Sequence, residues 1–318
     1  MPPWLGCPAM AGLATSLLLG AMLLGCSSRD YQRVSLRPAE VASPAPAQAL
    51  HPLRLGLAPI LSVQGAGAGL ASLGAALARE LGRPVLPMLG SDYREINDML
   101  GLGQLDVGIV CAGAYADPRL IKACEPLLVP MLAGSGNLYQ SYIVVRMQDP
   151  ARRLEDLRNA SFEFTDSLSL TGYIYPVSRL SGLGSTPGSF FSKVSFSHGH
   201  DRSLDLVAAG TVQAAAVDSS VYQVWCGSHP EDARKVRVLE RSEGFPSPPI
   251  VVQTVLPPAE KEAIRHAFLS LMATGEGRAI LASVGWTGFQ EPDARWRHRM
   301  HRLDQLFRKL RGKDLLSA

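Results

Sequence analysis

The spacing of apolar positions along this chain changes repeatedly between a period of two or a continuous run and a period near 3.6, which predicts strands alternating with helices. Leu53-Arg54-Leu55-Gly56-Leu57-Ala58-Pro59 reads as the first strand, and Leu70 to Leu81 as a long helix closed by Gly82. Val85 to Met88 predicts a second strand, after which Ser91-Asp92-Tyr93 opens a helix over Arg94 to Leu100. The run Leu105 to Tyr115 is apolar on both faces and ends in small residues, as a buried strand does where it meets a cleft. Tyr139 to Val145 predicts another strand, and Ser161-Phe162-Glu163-Phe164 a short one. Helical spacing resumes at Tyr173 and continues through Val177 and Leu180; Pro176 has no N–H, so that helix starts just before it or bends there. Ile250 to Thr254 predicts a return strand. A helix follows from Pro258 with Ile264, Phe268, Leu271 and Met272 on its inner face, then a short helix from Gly275 to Val284.

Two such runs, with crossings near Val145 to Leu154 and near Gly244 to Ile250, predict a two-lobed α/β protein. The expected boundaries are 52–146 and 247–290 for the first lobe, 147–246 for the second, and 291–318 for a basic amphipathic C-terminal helix. In that helix Trp296, Met300, Leu303, Phe307 and Leu310 share one face, so it can dock while its arginines point outward.

Before the folded part, Ala9 to Cys26 is almost wholly apolar and ends in Leu23-Leu24-Gly25-Cys26. This resembles a lipoprotein signal peptide, with residues 1–25 as leader and Cys26 as the lipidated first residue of the mature chain. Met1 to Pro8 lacks the usual positive charge, and an uncleaved anchor is the alternative, since about 18 apolar residues just span a bilayer. Either places the chain outside the cytoplasm on a lipid bilayer. Residues 26–51, with Pro38, Pro44 and Pro46 among Ala, Ser and Gln, read as a flexible tether.

Composition narrows the function. At 318 residues and 47% hydrophobic content the chain can fill two compact cores, while 19% charged residues and a net charge of +3 indicate neither disorder nor a nucleic-acid surface. Residues 294–313 hold eight Lys/Arg against Asp304, a local +7, which leaves the remainder near −4. An anion site in the body must therefore act through local geometry. Gly65-Ala66-Gly67-Ala68-Gly69 lacks the spacing and the following acidic residue of a dinucleotide loop, and no cofactor is implied.

The richest chemistry lies at the joint Phe164 to Pro176, where Ser169, Thr171 and Gly172 stand between strand and helix. Amides of a first helical turn point outward without internal acceptors, so such a joint can hold an anion; it can equally be an ordinary hydroxyl-capped helix. Asp166-Ser167-Leu168-Ser169-Leu170-Thr171-Gly172 resembles the Asp-Pro-x-Ser-Thr-Ser-Gly signature of the periplasmic phosphonate, phosphite and phosphate binding proteins of ABC importers. Ser167 replaces the proline, and Leu170 replaces a threonine, which removes one hydroxyl. Further runs are similar to the same family in the same order: Asp106 to Tyr115, Tyr139 to Val145, Val194 to Ser203 and Val212 to Tyr222.

The resemblance implies a type II periplasmic binding fold with a ligand cleft between the lobes. It implies a site of Tyr93 and Tyr139 as walls, Ser169, Thr171 and the amides near Leu170 to Gly172 as donors, His200 as a further donor, and Asp218 as an acceptor that favours a ligand bearing P–OH. Pro246-Ser247-Pro248-Pro249 stands where the family often has Pro-Asn-Asp-Pro, which disfavours an aminoalkyl substituent. Cys111 has three readings: a small buried thiol, a disulfide with Cys124, or a soft ligand. The implied function is capture of a small phosphorus oxyanion or phosphonate in the periplasm for an ABC permease of the inner membrane. The alternative is a lipid-tethered sensor signalling to a membrane kinase, for arsenite through Cys111. Hydrolysis is disfavoured, because His198, His200 and Asp201 complete neither a metal site nor a nucleophile elbow.

Overall fold

The computed structural model describes residues 51–60 and 63–312; the expected leader, Cys26 and the tether before His51 lie outside the described residues, as does Lys313. The chain begins with β1 (Leu53–Leu57), α1 (Val63–Leu81), β2 (Val85–Leu89), α2 (Tyr93–Gly101), β3 (Val107–Ile109), α3 (Ala112–Tyr115), α4 (Pro118–Ala123) and β4 (Cys124–Leu132). After a short β5 (Leu138–Tyr139) come β6 (Ser141–Arg146), β7 (Ser161–Phe164), α5 (Tyr175–Gly182), α6 (Pro187–Phe190), β8 (Lys193–Phe196) and α7 (His200–Ala209). Then follow β9 (Ala214–Asp218), α8 (Ser219–Ser228), α9 (Pro230–Ala233), β10 (Val236–Arg241) and a two-residue β11 (Phe245–Pro246). The chain closes with β12 (Ile250–Gln253), α10 (Pro258–Ser270), α11 (Gly275–Ser283), β13 (Trp286–Gln290) and α12 (Ala294–Arg311).

Two mixed sheets result. One has the order β13-β4-β12-β3-β1-β2, the other β10-β6-β9-β7-β8, and β5 pairs with β11 as a separate antiparallel ribbon. In the first sheet β1 runs parallel to both β2 and β3, so α1 and α2 are the crossover helices that parallel neighbours require. The polypeptide leaves this sheet after β4 and returns at β12, passing through the ribbon each way.

That path corrects the first crossing. Strand β6 was expected in the first lobe, yet it pairs with β9 (Ser141 opposite Asp218) and β10. Its apolar run fits the interior of either sheet, and the chain changes sheets earlier, at the turn holding Gly134 and Gly136 at φ 73° and 65°. Likewise, the expected strand through Tyr115 ends at Ile109; Cys111 is the N-cap of α3, because Ala112 to Ala114 are small enough to coil tightly under the neighbouring backbone.

The first sheet packs Leu53, Leu55, Val107 and Ile109 against Leu77, Ile264 and Phe268. The second builds an aromatic core in which Phe162 stacks on Phe191 with centroids 4.3 Å apart, and Phe164 meets Tyr173 edge-on. Helix α12 buries Trp296, Met300, Leu303, Phe307 and Leu310, leaving Arg295, Arg302 and Arg308 exposed. Trp296 Nε1 donates to Ser247 O at 2.9 Å and ties this helix to the return crossing.

Candidate functional site

The joint after β7 is wound more widely than an α-helix. Ile174 N donates to Ser169 O at 2.9 Å, a π-type turn spanning Leu170–Ile174, and α5 starts at Tyr175 with Pro176 in its first turn, where its missing N–H costs no bond. Ser169 Oγ accepts from Gly172 N at 3.0 Å, and the Leu170 amide is directed at the Cys111 sulfur. Two of the amides expected to form an open cradle are thus already engaged, because the seryl hydroxyl folds back as an ordinary cap. A Cβ on Gly172 would lie 2.5 Å from Thr165 Oγ1 and 3.0 Å from His200 Cε1, so only glycine lets the turn pass these two side chains.

His200 opens α7, and its own amide donates to Ile60 O at 3.2 Å. Ring Nδ1 accepts from Asp218 N at 3.1 Å and lies 2.9 Å from Thr165 Oγ1. A backbone amide can only donate, so Nδ1 carries no proton and the neutral ring bears its hydrogen on Nε2. That nitrogen is 3.4 Å from both Tyr93 Oη and Ser169 Oγ. Burial lowers the pKa of the ring to about 3, so His200 is an uncharged donor, and the imidazolium is excluded in this packing.

Tyr93 begins α2, whose N-cap Asp92 accepts from Glu95 N at 2.8 Å; the phenol is fully buried. Burial pushes the phenols of Tyr93 and Tyr139 well above their ordinary range, with Cys111 and Asp218 adding to both. These four residues therefore form one cluster with His200. Tyr139 Oη in this cluster and Thr171 Oγ1 on the π-type turn are buried without a hydrogen-bond partner; the Cys111 thiol lies beside Tyr139 without hydrogen-bond geometry.

Asp218 caps α8. Its Oδ1 accepts from Ser220 N at 2.7 Å, Ser220 Oγ at 2.6 Å and Val221 N at 3.4 Å, yet burial raises the carboxyl from 3.8 to about 6. Cys111, Cys124 and Cys226 are free thiols, and Cys111 and Cys124 sit in different core clusters, so the bridge considered for Cys111 is not formed. Burial raises the thiol pKa of both Cys111 and Cys124, which keeps them protonated.

Three contributors were not singled out by the sequence reading. Asp166 Oδ2 accepts from Tyr93 N at 3.0 Å and its Oδ1 from Leu168 N at 2.7 Å, linking the two halves of the fold. Thr165 orients the His200 ring, and Ser141 Oγ donates to Thr171 O at 2.6 Å. For Asp166 a signal was available: an aspartate just past a strand end, able to accept from the amide two residues on, is a local turn-capping pattern.

A cavity of about 70 Å³ adjoins this cluster. Asp218 is on its wall, together with residues of both sheets, but Tyr93, Tyr139, Ser169, Thr171 and His200 are not. The residues expected to line an open space are instead buried, and of them Asp218 alone borders the hollow.

Residues 55–296 match the family model described as the phosphonate, periplasmic substrate-binding protein of ABC transporters. The phosphonates-binding periplasmic protein of Escherichia coli (strain K12) is 24% identical over 217 residues, 67% of this chain; the match spans 64% of that protein's length. Among solved structures, a binding protein component of an ABC phosphonate transporter from Pseudomonas aeruginosa superposes with a TM-score of 0.72 at 20% identity, covering 80% of this chain and 86% of the other. PhnD1 from Prochlorococcus marinus (MIT 9301), solved with methylphosphonate, gives 0.71 at 18% identity, covering 81% and 98%. With the family model covering most of the described residues and the two-sheet fold shared with these structures, the chain belongs to the phosphonate substrate-binding protein family of ABC transporters.

Proposed function

We propose that this protein captures a small phosphonate or related phosphorus oxyanion between its two sheets and delivers it to an ABC permease, working in the periplasm while anchored through a lipid on Cys26. The observation that carries the reading is the pair of unpartnered buried hydroxyls, Tyr139 Oη on the ribbon and Thr171 Oγ1 on the second half. A buried hydroxyl without a partner costs about 1–3 kcal/mol, and an oxyanion is the kind of guest that satisfies several at once. His200 Nε2–H, with Tyr93 Oη and Ser169 Oγ each 3.4 Å from that nitrogen, supplies a further group of uncharged donors. Asp218 is the acceptor: with a carboxyl near 6 it tolerates a ligand that retains P–OH and repels one that is fully ionised.

Ligand entry requires the halves to part, since Tyr93, Thr171 and His200 are buried in the closed arrangement. In this reading Leu170 contributes only its backbone, and Gly172 is retained because no side chain fits there.

Calorimetry with phosphate, phosphite, methylphosphonate and sulfate tests the reading on the wild type and on Thr171→Val and Tyr139→Phe. Each substitution should weaken phosphonate binding at least tenfold, the scale of a lost hydrogen bond to a charged group. Each should also raise the melting temperature of the free protein, because an orphaned polar atom is removed. Unchanged affinity in both variants, or no binding of any phosphorus oxyanion, refutes the assignment.

A further inference from the structure

The cavity across Asp218 has a lining unlike that of the oxyanion cluster. Leu70 and Leu73 of α1, Val221 and Val224 of α8, and Ile280 and Val284 near α11 supply aliphatic walls from both halves of the fold. At about 70 Å³, with one water-sized group needing roughly 10–15 Å³, it has room for about five such groups. Among the described residues, the hydroxyl and carboxyl side chains at it belong to three residues: Asp218, Ser220 and Ser247. Those of Asp218 and Ser220 bond to each other at 2.6 Å. The third is unpaired: Ser247 is fully buried, its amide donates to Asn137 O at 2.8 Å and its carbonyl accepts from Trp296, but its hydroxyl has no partner.

We infer that this cavity receives the substituent of the ligand, and that the substituent is a short, uncharged, largely aliphatic chain of about three to five non-hydrogen atoms. The inference rests on the oxyanion reading above and specifies which phosphonates are preferred. Asp218 is a shared element: its amide donates to the His200 ring, and the residue borders the cavity. An anionic head among the hydroxyls therefore directs its carbon chain past Asp218 into the aliphatic space. An ammonium group there would lose its hydration with one carboxylate to receive it, and three donors already draw on Oδ1 of that carboxylate. Ser247 Oγ offers a hydrogen bond to one ether or hydroxyl oxygen in the chain.

The test uses the full protein and isothermal titration with methyl-, ethyl-, propyl- and 2-aminoethylphosphonate. Burying a methylene contributes a factor of about four in affinity, so propylphosphonate should bind about 15-fold more tightly than the methyl compound. Propyl- and 2-aminoethylphosphonate have the same number of non-hydrogen atoms, and the propyl compound should bind at least tenfold more tightly. Val224→Phe, at a half-exposed position on the cavity wall, should abolish the gain from chain length and leave methylphosphonate affinity within twofold. If methylphosphonate binds but affinity is flat or falls along the series, or the aminoethyl compound binds as tightly as propyl, the substituent site is wrong and the oxyanion reading stands. If none of the four binds, the oxyanion reading fails and this inference falls with it. The chain-length series in the wild type decides the matter even if the Val224 variant does not fold.

Discussion

The two sides of Asp218 are built on opposite principles. Towards His200, five polar side chains from both halves are packed with almost every atom committed, and the two exceptions are hydroxyls. Towards α1, α8 and α11 the walls are aliphatic and the space is hollow. Hydrogen bonds are directional and costly to leave unmade, so the first side can discriminate by chemistry; aliphatic contact is non-directional and scales with area, so the second can discriminate only by size and polarity. Asp218 belongs to both, since its amide donates to His200 and the residue borders the hollow.

The largest expected effect breaks the polar side. Gly172→Ala places a methyl group against Thr165 and the His200 ring, both fully buried, and should cost about 3 kcal/mol of stability, the upper end for overpacking, with phosphonate binding lost. Denaturant unfolding and calorimetry measure both.

The next effect falls on the dividing residue. The Asp218 carboxyl is raised from 3.8 to about 6, so below pH 3.8 folded and unfolded chains are both protonated there, and stability is lost as pH rises through about 6. Asp218→Asn keeps an oxygen to cap α8 and removes the charge; it should gain about 2 kcal/mol, or about 4–8 °C in melting temperature, at pH 7 to 8, with no gain below pH 3.8. His200 acts in the opposite sense, since burial lowers its pKa from 6.5 to about 3: its stabilisation is present above pH 6.5 and is lost as pH falls towards 3. The difference between thermal melts of the Asn variant and the wild type from pH 3 to 8 should therefore isolate the Asp218 contribution, and a variant curve parallel to the wild type would exclude a shifted Asp218.

The smallest effect sharpens the apolar side. Ser247→Ala removes an unpaired hydroxyl from the cavity wall and should stabilise the free protein by about 1 kcal/mol while leaving methylphosphonate affinity unchanged. A loss of affinity there would move Ser247 into the anion site.

Much of this arrangement was legible in the residues. The alternation of strands and helices, the Ser169 cap, the start of a helix at Pro176 and the docking face of α12 follow from periodicity and from which amides lack partners. What was hidden depended on partners distant in sequence. Strand β4 carries Pro126 and Pro130, which argue against a strand until β12 and β13 are seen to pair with it. Whether β6 joins the first or second sheet is decided by β9, more than 70 residues later. The neutral state of His200 follows from an amide that only the fold brings to Nδ1, and the separation of the cavity from the hydroxyl cluster has no counterpart in local pattern.

The bonds that Tyr93 N makes to Asp166 and His200 N to Ile60 O join the halves through the protein's own atoms. In the proposed binding role, a solute held inside would leave only when both links break. Discharge would then be timed by the opening of the shell, at a rate independent of how concentrated the solute outside becomes.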